Sequence, residues 1–96
     1  MPKLNEKQIM ADLLYKFYNL GRWKGHGHMS IEDAVRGFPS HLVGYIKKKV
    51  IKNLVKEGFL LITKHAYGIG LSLNMSKLKE IEYMIERYHF KDEFQK

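Results

Sequence analysis

Gly58 divides this chain more sharply than any other residue. Before it, from about Ser40 to Glu57, Leu42, Ile46, Val50 and Leu54 recur at the spacing of one helix face. After it, Phe59-Leu60-Leu61-Ile62-Thr63 is an apolar, β-prone run, and Ile69-Gly70-Leu71-Ser72-Leu73 alternates as a half-buried strand should. His65-Ala66-Tyr67-Gly68 supplies a turn between the two runs. A glycine ends a helix because it takes the left-handed backbone that other residues resist. The chain must therefore pass from a long helix directly into a β-hairpin, and the rest of the fold has to be built around that passage.

The remaining segments read as helices. Helix 1 is expected from about Glu6 to Leu20, capped by Asn5 with Gln8 three residues on, and ended by Gly21. Ile9, Met10, Leu13, Leu14 and Phe17 form its buried stripe. The glycine-bearing stretch from Arg22 to Met29 reads as a loop leading to a short strand at most. Ser30, with Asp33 three residues later, caps a short helix 2 from about Ile31 to Arg36, which turns Ile31, Ala34 and Val35 inward before Gly37 stops it. Pro39 suits the first turn of helix 3, since its fixed φ is already helical. After the hairpin, Asn74 or Ser76 caps a last helix to about Tyr88, with Leu78, Ile81, Met84 and Ile85 on one face. The tail from His89 to Lys96 is expected to fray. No repeat or linker interrupts the pattern, so residues 1–96 read as one domain. The order helix, helix, helix, hairpin, helix predicts a mostly helical α+β fold. It matches a winged helix-turn-helix of three helices and a two-stranded β-hairpin wing, with an extra C-terminal helix.

Composition narrows the function. An apolar fraction of 45% in 96 residues is ordinary for a small globular domain. There is no cysteine, so neither a disulfide nor a thiolate metal site can form. The N-terminus lacks the apolar core of a signal peptide, and no apolar run reaches the roughly 18 residues needed to span a bilayer, so a cytoplasmic protein without a membrane partner is expected. The formal net charge of +7 is concentrated: residues 1–39 carry +2, residues 40–65 carry +5 and residues 66–96 carry 0. In the middle segment Lys47, Lys48, Lys49, Lys52, Lys56 and Lys64 face only Glu57. A basic segment in an otherwise balanced domain is the footprint of a polyanionic partner.

The lysines are also patterned. On an ideal helical wheel the arc opposite Leu42, Ile46 and Val50 holds Lys48, His41, Lys52, Tyr45, Lys56 and Lys49, with no acidic residue. Lys48, Lys52 and Lys56 stack at i,i+4, where like charges cost stability and an anionic partner would relieve them. His41 and Tyr45 stand at the N-terminal end of the arc, where the second helix of a helix-turn-helix reaches base edges; the lysines suit phosphates, and Ser40, which opens the helix, is a further nucleic-acid-binding candidate. Lys64, His65 and Tyr67 stand at the hairpin tip, within reach of an adjacent groove or phosphate. The reading is a non-enzymatic domain that binds double-stranded DNA, a transcriptional regulator with no cofactor. A protein-interaction or RNA/ribosome-binding domain within a larger nucleic-acid machine is the alternative. The large side chains beside the terminal stripes, Tyr15, Tyr18, Tyr83 and Tyr88, suggest a homodimer through the terminal helices.

Three stretches resemble archaeal members of the winged helix-turn-helix superfamily. Gly37-Phe38-Pro39-Ser40-His41-Leu42 opens the recognition helix. Leu54-Val55-Lys56-Glu57-Gly58-Phe59-Leu60 passes from helix into wing. Tyr67-Gly68-Ile69-Gly70-Leu71-Ser72-Leu73-Asn74 returns from the wing into the last helix. The resemblance spans roughly residues 30–80 and implies DNA binding, often by dimers; it names no operator and no effector.

Other motifs carry less. His26-Gly27-His28 resembles a metal-binding pair, but zinc needs three or four converging ligands and no third stands at a recognisable spacing, so no metal is expected. Gly68-Ile69-Gly70 lies inside the hairpin and lacks the third glycine and following helix of a dinucleotide site. Ser40 beside His41 is no catalytic pair, because consecutive helical residues point about 100° apart. Trp23 reads as a core plug.

Overall fold

The computed structural model describes residues 6–23, 27–65 and 68–89, with His65 described through its backbone alone. Asn5, His26, Tyr67 and residues 90–96 therefore lie outside the described residues. The fold is a mostly helical α+β domain with a three-stranded antiparallel sheet. Helix α1 (Glu6–Asn19) buries Ile9, Ala11, Leu13, Leu14 and Phe17. It ends as its sequence dictates: Gly21 takes φ 69°, and the Arg22 and Gly21 amides bond back to the Phe17 and Tyr18 carbonyls.

Strand β1 (Met29–Ser30) leads into α2 (Ile31–Val35), whose first turn is capped by the Ser30 hydroxyl accepting from the Asp33 amide at 3.1 Å. At the other end of α2 the Lys16 ammonium of α1 donates to the carbonyls of Asp33, at 2.6 Å, and of Ala34 and Arg36. A helix of five residues cannot stand alone in water. Here a hydroxyl satisfies one end and a cation the other.

The long helix comes next, in three continuous pieces: α3 (Ser40–Tyr45), a π-helical turn (Ile46–Val50) and α4 (Ile51–Lys56). The π turn is marked by the Ile51 amide bonding to the Ile46 carbonyl five residues back. It corrects the ideal wheel. On that wheel Ile51 falls about 140° from Ile46, yet both are buried. A π turn takes more residues per revolution and so rotates everything beyond it back, bringing Ile51 and Leu54 under the same core as Ile46 and Val50. Gly58, at φ 84°, then ends the helix, with the Phe59 amide on the Leu54 carbonyl.

Strands β2 (Leu60–His65) and β3 (Gly68–Leu73) pair in register from Leu60↔Leu73 to His65↔Gly68. The expected two-stranded hairpin is part of a larger sheet, because Met29 and Ser30 pair with Leu71 and Gly70 and make β3 the central strand. For the same reason the expected half-buried alternation of β3 fails: Gly70, Leu71, Ser72 and Leu73 are all buried. The chain at Trp23 runs beside Leu73, and the Trp23 ring packs edge-on to Tyr18 and against the core. Ser72 has no hydrogen-bond partner for its hydroxyl among the described residues.

Asn74 fastens the base of the hairpin. Its amide donates to the Phe59 carbonyl and its side chain to the Gly58 carbonyl, while its side-chain oxygen accepts from the Ser76 amide. A 3₁₀ turn (Met75–Lys77), α5 (Leu78–Met84) and a second π turn (Ile85–His89) complete the described chain. His89, expected to begin a frayed tail, belongs to this helix. Its ring stacks on Tyr15 at 4.2 Å and its Nδ1 lies 2.6 Å from the Asp12 carboxylate, so aromatic and polar contacts with α1 hold it. Ile81, Ile85 and Met84 join the common core. Among the described residues no helix is long and apolar enough to cross a membrane.

Candidate nucleic-acid interface

The long helix shows two faces. Ile46, Val50, Ile51 and Leu54 are buried, whereas Ser40, His41, Lys48, Lys49, Lys52 and Lys56 are exposed. Lys47 is exposed too. Sequence reasoning misses it because the ideal wheel sets it beside Leu54, a placement that the π turn invalidates. Its membership of the run Lys47-Lys48-Lys49 is the signal that could have found it. None of these five lysines makes an ion pair or hydrogen bond among the described residues, whereas Arg36 pairs with Asp33 at 2.9 Å. The face is thus basic, and among these lysines Lys49 is near enough to the Glu6 carboxylate to attract it.

Tyr45 departs from the expected arrangement. It is half-buried against the core, and its hydroxyl donates to Glu6 Oε1 at 2.9 Å. Asn53 Nδ2 donates to the other oxygen of the same carboxylate at 2.6 Å. The reason lies outside the helix, in the Glu6 side chain that α1 brings to this face. These two hydrogen bonds, Asn53 first, hold the Glu6 carboxyl below its ordinary pKa; burial opposes them, and Lys49 and Lys7 add attraction. The same carboxylate raises the pKa of Tyr45. His41 and Ser40 stay on the open side, while Tyr45 fastens α3 to α1.

Gly44 is the second residue that sequence reasoning passes over. It is exposed, lies inside α3, and has right-handed helical backbone. A Cβ built there would meet nothing within 4 Å. Glycine inside a helix costs about 1 kcal/mol relative to alanine, and neither φ nor crowding requires it here. It stands in the i,i+4 row Ser40, Gly44, Lys48.

On the hairpin, side chains alternate between faces. Leu60, Leu71 and Leu73 share the core face with Ile62, Lys64 and Ile69, which lie nearer the tip. Ile62 and Ile69 are 49% and 43% exposed, and Lys64 is exposed between strands that have run past the edge of the core. The hairpin tip therefore carries an aliphatic pair beside a cation. Tyr67 and the His65 side chain lie outside the described residues, so the tip is defined by Lys64 among the three residues expected there.

Between the terminal helices lies a cleft of about 560 Å³, lined by Tyr15, Tyr18, Asn19, Glu82, Ile85 and Glu86. The Tyr18 hydroxyl donates to Glu82 at 2.7 Å, which raises the tyrosine pKa and ties α1 to α5. No family model matches the chain, and neither a curated relative nor a solved structure matches it.

Proposed function

We propose that the protein is a winged helix-turn-helix domain that binds double-stranded DNA and serves in transcriptional regulation. In this reading α2 and the long helix form the helix-turn-helix. The face of Ser40, His41, Lys47, Lys48, Lys49, Lys52 and Lys56 enters the major groove, and the β2–β3 hairpin acts as the wing, with Lys64 on a phosphate. The element order and the sheet order β1-β3-β2 support the fold assignment. One observation carries the function: five exposed lysines on one helix, none of them paired within the described chain. Self-repulsion of this kind is relieved by phosphates. Ser40 and His41 are the base-reading side chains in this proposal, since they stand exposed at the helix start. Tyr45 contributes chiefly by holding α3 in place through Glu6. A homodimer through the terminal helices forms part of the proposal; with Ile81, Met84 and Ile85 occupied by the core, its contact falls to Tyr18, Leu20 and Tyr83.

The test is competition at low salt between mixed-sequence duplex DNA, single-stranded DNA and structured RNA. The proposal requires preference for the DNA duplex. Preference for RNA would move the same face to an RNA partner, and no binding to any of the three would leave a protein-interaction domain.

A further inference from the structure

We infer that Gly44 is a point of close approach, where the bound duplex comes into contact with the helix backbone itself. The inference rests on the proposed function and adds a residue that carries no side chain. Three observations combine. Gly44 is exposed and its backbone is ordinary right-handed helix, so no left-handed conformation demands a glycine. A Cβ at this position would meet open space, so no neighbour within the described chain demands one either. The position lies between Ser40 and Lys48 on the exposed row and one turn from His41.

The chain therefore carries a helix-weakening residue that its own fold does not use. An approaching surface can use it. Ser40 has a short side chain, and its hydroxyl reaches a base edge only if the helix axis comes close to the groove floor. A side chain at position 44 would hold the helix off, and long lysines could still bridge that gap whereas Ser40 could not. Glycine removes the obstruction at the middle of the face, flanked by the groups that the proposal assigns to bases on one side and to phosphates on the other.

The experiment measures thermal melting and duplex binding together, in the whole protein, for the parent, Gly44→Ala, Gly44→Leu and, in parallel, Lys48→Ala and Lys52→Ala. The probe is a mixed-sequence DNA duplex. Alanine and leucine are strong helix formers, so both Gly44 variants should melt higher than the parent, by on the order of 5 °C for alanine. Gly44→Leu should nevertheless bind the duplex about tenfold or more weakly, and Gly44→Ala should fall between it and the parent. A better-folded protein that binds worse is the signature of a steric stop at the interface. Two results overturn the inference while leaving DNA binding intact. In one, the lysine variants lose affinity but Gly44→Leu binds as the parent does. In the other, the Gly44 variants melt lower, which makes the glycine a requirement of the neighbouring π turn. If the parent and lysine variants bind alike, or the parent does not bind, the proposed function fails and this inference fails with it.

Discussion

Glu6 is where a single residue does most to set the candidate interface. Its carboxylate receives Tyr45 on one oxygen and Asn53 on the other, bracketing the π turn from outside. Replacing it by glutamine leaves a weaker acceptor, and the expected loss at neutral pH is about 0.5–1 kcal/mol, allowing for partial solvent screening. The folded-state pKa of Glu6 is depressed, so its contribution is complete above the ordinary glutamate value of about 4.3 and disappears as pH falls through the folded value. Melting curves of parent and Glu6→Gln should therefore differ at pH 7 and converge as the pH falls through the folded value; a constant gap would show that the charge is irrelevant. This contact is not legible in the sequence, since residues 6 and 45 are joined only by tertiary packing. Gly58 is the opposite case. Its role as a helix stop is readable directly, and φ 84° makes Gly58→Ala costly by about 1 kcal/mol through backbone strain, a lowered melting temperature being the readout.

Among the elements, those with a clear period are legible and those without one are not. Helix α1, the capped α2, the hairpin and the last helix can be read from apolar spacing and from Ser30, Gly21, Gly58 and Asn74. Strand β1 has two residues, too few for any alternation, and it joins the sheet through its pairing with Leu71 and Gly70. The π turn is invisible in the sequence because it leaves the apolar spacing almost helical while rotating the residues beyond it. That rotation is why an ideal wheel sets Lys47 on the wrong side. Helix α2 offers a test at this scale. Lys16 bonds three carbonyls at its C-terminal end, so Lys16→Met should leave them to water and lower stability by about 1–2 kcal/mol, measured by denaturant titration. An unchanged midpoint would mean that α2 is held by Ala34 and Val35 packing alone.

At the scale of the whole molecule, the net positive charge is concentrated on residues 40–65. The long helix presents an unpaired basic face, while the terminal helices present Glu82 and Glu86 around a cleft with tyrosine walls. The proposed homodimer uses that second side. Sedimentation at micromolar concentration should give a dimer for the parent and a monomer for Tyr83→Ser, whose parent side chain is 59% exposed. A monomeric parent would leave Tyr18, Leu20 and Tyr83 as ordinary surface residues. The most direct test of the central claim is the salt dependence of duplex binding in the parent and in the single alanine variants of Lys48, Lys49, Lys52 and Lys56. If each lysine meets one phosphate, the logarithm of affinity should fall linearly with the logarithm of salt concentration, with a parent slope of about −3.5 or steeper. Each substitution should reduce that slope by about one unit and weaken binding alike on all sequences without unfolding the protein, and loss of Lys48 or Lys52 should slightly raise the melting temperature. Lysine variants that bind with the affinity and slope of the parent would contradict the account, and the basic face would then be no more than a solvated side of the helix.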